Sequence, residues 1–275
     1  MPREYDILEP LLLQFDPYVK YRNGQLSRED YQIWFHNAKE QLAQAGLHSA
    51  QLRRLPYHVA RDADNAQAML REFGFPADVY SRSDYLDFHN KVCANYDFGG
   101  YQTSIYPDEE ELAYALTHAI KPKSSFYAGS YFGYWAVYMM PAISEVRGSI
   151  TLCDINPKVS ALCAANMERL GYAHSTVCAA EDAEKLLLSS SAPLGFVVLD
   201  ATASYDNPDP ERRGKGIYGV LAKAALPRLS KGGFILIHNH EPDEPGLQPM
   251  FDLLNKECSK GLHLDSYNGL GVYRK

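Results

Sequence analysis

The stretch "FYAGSYFGYW", residues 126–135, follows an apolar run and leads into a helical pattern. A loop between a buried strand and a helix is where an open α/β sheet holds its ligand. Gly129 lets the chain turn tightly there, and Gly133 lets backbone approach a ligand. The spacing is G-x-x-x-G rather than G-x-G-x-x-G, so the pyrophosphate fingerprint is absent. Taken alone, the stretch reads equally well as a plain strand-to-helix turn. Its neighbours decide.

Downstream the pattern alternates. Strands are expected at "SSFYAG", "SITLCDI", "HSTVCAA", "GFVVLDA" and "GGFILIHN", and helices over 132–145, 157–170, 182–188, 211–229 and 247–259. The strand runs are continuously apolar, as in parallel strands covered on both faces. Such alternation gives a doubly wound α/β sheet. The tail "LHLDSYNGLGVYRK" breaks it, with two short strands around Asn268-Gly269, a two-residue hairpin signal. The expectation is a seven-stranded, mostly parallel Rossmann-like sheet ending in an antiparallel hairpin.

Upstream the chain is helical. "DEEELAYALTHAIKP" predicts an amphipathic helix with Leu112, Ala115, Leu116 and Ala119 on one face and an acidic first turn that suits the helix dipole. "SREDYQIWFHNAKEQLAQAG" places Tyr31, Trp34, Phe35, Ala38, Leu42 and Ala45 on one face, between an N-cap at Ser27 and a stop at Gly46. "DADNAQAMLREFG" reads the same way. The chain thus divides into an N-terminal helical cap or substrate region, 1–102, and a Rossmann-like domain, 103–275.

The net charge of -7, with no Lys/Arg block, argues against a nucleic-acid partner. No apolar run approaches the roughly 20 residues that span a bilayer. The five cysteines are odd in number and include no C-x-x-C pair, which fits reduced thiols in the cytoplasm. A homodimer is compatible with the sequence.

Three strand ends carry carboxylates. Asp154 ends the second strand in "TLCDINP", where a carboxylate can accept both hydroxyls of a ribose. Asn156, directly before Pro157, is better placed than Asp154 to cap the next helix. In "AAEDAEKL", Glu181 or Asp182 suits an adenine amino group and Ala183 its ring; a capping role is the equal alternative. Asp200 ends the apolar run "VVLDATASYDN", where a charge is costly unless it faces a cleft, a metal or a donor.

These motifs together resemble the class I S-adenosylmethionine-dependent methyltransferases, most closely the catechol / caffeoyl-CoA O-methyltransferase-like branch. A family loop like "EIGTFTGYS" is matched by "YAGSYFGYW" at Gly129, Gly133 and Tyr134. "CDINP" stands unchanged at Cys153–Pro157, followed by "AEDA", "LDATA" and "GGFILIHN" in the family's order. The resemblance covers roughly residues 103–275 and implies S-adenosylmethionine as cofactor. The ribose would lie at Asp154, with Ile155 and Asn156 beside it, and the adenine at Glu181, Asp182 and Ala183. The methionine part would lie along Gly129, Ser130, Tyr131, Gly133 and Tyr134, with Asp200 at the reacting end.

Metal-dependent members of that family hold Mg²⁺ on positions that map to Asp200, His238 and Asn239. Here His238 replaces the usual Asp, and imidazole suits softer metals than Mg²⁺. The divalent metal is therefore an open expectation, and His238, with Asp200 and Asn239, becomes the catalytic candidate, His238 as general base. A second departure is Tyr127 in the position of the family's acidic residue. It joins Tyr131, Phe132, Tyr134 and Trp135 in an aromatic setting that suits a sulfonium. Phe132 and Trp135 are expected in the core, and Tyr131 and Tyr134 in the pocket. Tyr101 and Tyr106 are expected near the cleft. His240, Glu241 and Asp243 read as a solvated loop.

The expected activity is methyl transfer to the O or N of a small molecule. Two alternatives stay open: aminocarboxypropyl transfer or cyclisation releasing methylthioadenosine, and a non-catalytic cofactor-binding module.

Overall fold

The computed structural model describes residues 10–23, 25–45, 64–241, 244–264, 266 and 268–275. The expected stop at Gly46, Asp243 and the start of "DADNAQAMLREFG" lie outside them. Short helices come first: α1 (Asp16–Arg22), α2 (Arg28–Asn37) and α3 (Lys39–Gln44), then α4 (Asp64–Phe73) and α5 (Arg82–Asn95). Ser27 caps α2 by accepting from the Asp30 N–H, as expected. The single helix expected over this stretch is divided at Ala38. Tyr31, Phe35, Ala38 and Leu42 nevertheless share one buried cluster with Tyr106.

Helix α6 (Pro107–Ile120) precedes the sheet. Then follow β1 (Ser124–Ala128), α7 (Tyr134–Val137), α8 (Met140–Glu145), β2 (Ser149–Cys153), α9 (Pro157–Arg169), β3 (Thr176–Ala179), α10 (Ala183–Leu188), β4 (Leu194–Leu199), α11 (Ile217–Ala225), β5 (Leu229–His238), α12 (Gln248–Glu257), β6 (Lys260–Leu264) and β7 (Leu270–Arg274). The sheet order is β3-β2-β1-β4-β5-β7-β6. Strands β1 to β5 pair in parallel, and β7 runs antiparallel to both β5 and β6. The switch point between β1 and β4 leaves a crevice at the strands' carboxyl ends.

Two expectations need correction. Leu264 pairs with Leu270, so β6 and β7 are not joined by a two-residue turn at Asn268-Gly269. The tertiary structure claims those residues: Asn268 is buried and donates to the Ser104 carbonyl, and the Gly269 carbonyl accepts from the His240 N–H. Helix α6 is not one-sided. Every residue from Asp108 to Thr117 is buried, because α4 packs on one side and the sheet layer on another.

Helices α4 and α5 share the core of the sheet. Met69, Leu70, Phe73, Tyr85 and Val92 belong to one cluster with Trp135, Phe196, Phe234 and Leu236. Gly129 sits in the left-handed region (φ 80°), and a Cβ there would lie 2.5 Å from the Asp200 carbonyl oxygen and 2.6 Å from the Ala201 nitrogen. The loop after β1 is therefore pressed against the end of β4. We predict that Gly129→Ala lowers unfolding stability by about 1–3 kcal/mol from backbone strain alone, read by urea unfolding. A midpoint equal to that of the parent would refute the close approach.

Candidate active site

A cleft of about 650 Å³ opens over the carboxyl ends of β1, β2, β4 and β5. Gly129, Ser130, Tyr131 and Tyr134 line it from the β1 loop, Asp154 and Ile155 from β2, and Glu181, Asp182 and Ala183 from β3. Asp200, His238 and Asn239 line it from β4 and β5. One space thus gathers twelve of the residues singled out from the sequence. Gly133 and Asn156 stand outside this lining. Gly133 (φ 83°) starts α7, and a Cβ there would lie 2.4 Å from Cys163 Sγ. Its smallness serves helix packing rather than a ligand's approach. Asn156 caps α9 by accepting from the Lys158 N–H.

At the β2 end, Asp154 Oδ2 accepts from the Tyr131 N–H (3.1 Å) and Oδ1 from the Asn156 N–H (2.8 Å). A carboxylate has about four acceptor positions, so two are left for a ligand. Burial pushes the Asp154 carboxyl up, and the two backbone donors oppose it. Tyr131 takes a left-handed conformation (φ 51°), which carries its ring out of the loop, 40% exposed, against Tyr101. Asp182 caps α10 through the Lys185 N–H, and Glu181 pairs with the Lys185 ammonium, so the capping alternative holds for Asp182.

At the β4–β5 end, Asp200 Oδ1 accepts from His238 Nδ1 (2.9 Å) and Oδ2 from the Tyr127 hydroxyl (3.1 Å). Nε2 of His238 lies 3.4 Å from Glu109 Oε2. Burial disfavours a charged His238, yet two flanking carboxylates outweigh it and raise the imidazole to about 9. Burial likewise opposes ionised Asp200, but His238, Lys215 and Tyr127 hold its carboxyl below the usual range. The two carboxylates thus favour a protonated His238, with Asp200 as its hydrogen-bond partner and Glu109 only at ion-pair distance. Lys215 donates to the Ala201 carbonyl and the Tyr218 hydroxyl, and Tyr218 in turn donates to the His238 carbonyl.

Phe132 and Trp135 are buried, as expected, although both also reach the cleft wall. Tyr134 is buried too, its hydroxyl donating to Glu110 Oε1 (2.8 Å). Tyr106 is fully buried at the start of α6. His240 departs from the solvated loop expected for it. It is buried beside His263 and Tyr273, and burial pushes its imidazole down to about 3.

Residues 127–240 match a family model described as a methyltransferase domain. This stretch is similar to a methyltransferase domain. A methyltransferase from Podospora anserina, solved with S-adenosylhomocysteine bound, superposes with a TM-score of 0.52 at 17% identity, over 83% of this chain and 96% of that one. Cofactor-bound Rv0187 from MTB gives 0.51 at 14%, over 62% and 80%. A putative O-methyltransferase from Klebsiella pneumoniae gives 0.50 at 13%, over 79% and 99%. No curated protein sequence matches the chain significantly. The family match and the shared fold bear out the resemblance to the methyltransferases. The structure also gives the Rossmann-like sheet expected for them.

Sequence reasoning missed Glu109, which reaches His238 from a helix far away in the chain. It also missed the wall formed by Gln102, Thr103, Ser104 and Ile105. The acidic run "DEEE" was visible, but nothing local distinguished a buried carboxylate turn from a solvated one.

The methyltransferase domain's three mapped metal positions do not fit a divalent cation. His238 Nδ1 and Asp200 Oδ1 are spent on each other, and Asp200 Oδ2 is held by Tyr127. A metal needs a neutral ring nitrogen and a free carboxylate oxygen aimed at one point. Among the described residues no cluster of His, Cys, Asp and Glu has the arrangement of a metal site. We predict that added Mn²⁺ gives no protein-bound signal by electron paramagnetic resonance, and that a chelator leaves the thermal midpoint unchanged. A bound-metal spectrum lost in Asp200→Asn would restore the metal.

Proposed function

We propose that this domain binds S-adenosylmethionine in the cleft and methylates a hydroxyl oxygen of a small molecule. The observation that carries this reading is one cleft lined by both the Asp154 carboxylate and the Asp200–His238 pair. The residues fit the cofactor. Gly129 brings backbone against β4, Asp154 keeps acceptor positions for a ribose, and the segment from Glu181 to Ala183 offers an edge and a flat face to an adenine. The neighbour solved with S-adenosylhomocysteine supports it by fold. When bound, S-adenosylmethionine supplies an activated methyl group on a sulfonium sulfur. The exposed Tyr131 ring then offers that cation an aromatic face, a contribution of roughly 0.5–2 kcal/mol.

On the acceptor side, Asp200 is the more exposed member of the pair, and His238 is buried behind it. Asp200 accepts a hydrogen bond from the acceptor's hydroxyl, aligns its oxygen and takes its proton as the oxygen is methylated, passing it on to solvent. His238, already protonated between Asp200 and Glu109, fixes the carboxylate rather than taking the proton itself. This changes the role expected from sequence while keeping His238 and Asp200 in the catalytic set. Asn239, left-handed at the end of β5 (φ 54°), completes that wall. The segment from Gln102 to Ile105 forms the acceptor wall, at the junction of the region 1–102 with the domain 103–275. Among the described residues no helix is long and apolar enough to cross a membrane. The proposed setting is cytoplasmic.

His238→Ala is expected to cut turnover by about 10²-fold by letting the Asp200 carboxylate move, while the affinity for S-adenosylhomocysteine, read by calorimetry, stays within a few fold. Asp154→Ala is expected to do the reverse, weakening that affinity about tenfold or more through the loss of a charge-assisted acceptor. Turnover is read against a panel of phenols, alcohols and amines, with products identified by mass spectrometry. Release of methylthioadenosine in place of S-adenosylhomocysteine would sink the methyl-transfer reading.

A further inference from the structure

A second cluster lies outside the cleft and is used by nothing above. Cys93 and His89 stand one helical turn apart on α5, on the same face. Cys93 Sγ lies 3.4 Å from His89 Nε2, and His89 Nδ1 lies 3.0 Å from Glu110 Oε2. Cys93 is exposed, His89 half-buried and Glu110 fully buried. This is the order of a nucleophile, a base and an orienting carboxylate. Glu110 draws the imidazole proton to Nδ1 and so turns the lone pair of Nε2 toward the thiol.

We propose that Cys93 is a disulfide-reactive thiol, with His89 taking its proton and Glu110 holding the imidazole in place. The ligand class is a small disulfide such as oxidised glutathione. The step balances as an exchange. The Cys93 proton passes to His89 Nε2, and the thiolate attacks one disulfide sulfur. A new sulfur–sulfur bond forms as the old one breaks, and the other half leaves as a thiolate that recovers a proton from His89 or water. Cys93 is oxidised and the departing thiol is the reduced product, so no further oxidant is needed.

Exposure separates this cysteine from the other four, although a hydrogen bond from Cys163 lowers the Cys178 thiol. Cys153 and Cys163 are buried, while Cys178 and Cys258 are half-buried. Burial pushes the Cys153 and Cys258 thiols up to about 11. Around His89, the Cys93 contact and Glu110 raise the imidazole to about 9 against the burial that lowers it. The other groups facing it are Tyr138, whose hydroxyl lies 3.1 Å from Nδ1, and the Tyr85 ring. Neither is a cation that would repel a protonated ring. The cluster also touches the cleft, because Glu110 accepts from Tyr134, a cleft-lining residue. The inference does not depend on what the cleft binds.

The test treats the full chain, Cys93→Ser and His89→Gln with dithiodipyridine, following thiopyridone release with time and locating the mixed disulfide by peptide mass mapping. The fastest phase should vanish in Cys93→Ser. It should slow about tenfold or more at neutral pH in His89→Gln, which lacks the base that takes the thiol proton. A fast phase that survives Cys93→Ser overturns the proposal. So does a first-formed mixed disulfide that maps to another cysteine in the parent, a result that needs no variant and stands even if His89→Gln fails to fold.

Discussion

Four consecutive carboxylates, Asp108 to Glu111, are buried in the first turn of α6, and the rest of the structure is arranged around satisfying them. A buried carboxylate is costly unless hydrogen-bonded or paired. Each of the four finds its partner in a different part of the chain. Asp108 accepts from Asn65 of α4, and Glu111 from Tyr80, with Arg82 at 3.5 Å. Glu110 takes His89 of α5 and Tyr134 at the start of α7. Glu109 takes the Tyr106 N–H, Ser266 of the terminal hairpin loop, and His238. The turn therefore joins the helical region, the start of α7 and the end of β5 at one place. The unsatisfied N–H groups and positive end of the helix dipole add to the stabilisation of these charges.

This arrangement accounts for the character of the cleft. His238 lies beside Glu109 and Asp200, so its positive charge is fixed by the packing of α6 against β5. Trp135 strengthens the same junction: its indole N–H donates to the Glu109 carbonyl, and its ring stacks at a tilt on His238. Its imidazole is flanked by two carboxylates, Asp200 at 2.9 Å and Glu109 at 3.4 Å. Preorganised charge of this kind needs no rearrangement when a substrate arrives.

The two clusters of titratable groups meet through the same turn. Glu109 serves His238 within the cleft, and Glu110 serves His89 beneath the surface of α5. The two carboxylates are neighbours in sequence, yet their partners lie on different elements, because successive helical residues point in directions about a third of a turn apart. One helical turn thereby supports two imidazoles in separate environments, one enclosed behind the cleft and one beside an exposed thiol.

The sequence by itself determined the sheet. Continuous apolar runs separated by helical periods give parallel strands whatever the detail. Glycine at 129, aspartate at 154 and aspartate at 200 mark the strand ends through local geometry and the cost of charge. Those signals are short-ranged, and they survive in a single sequence. The departure of the terminal hairpin from a two-residue turn, the burial of α6 on all sides and the fate of "DEEE" were not legible, since each rests on contacts between residues far apart in the chain. His240 is a case in point: its burial is set by Tyr273 and His263 on the hairpin, not by the polar residues around it. His238 shows the same division. Its position at the end of β5 follows from the strand pattern, but its charge is decided by Glu109 and Asp200. Only the packed structure brings those two carboxylates to either side of one imidazole, and only their combined field overcomes the burial that would otherwise leave it neutral.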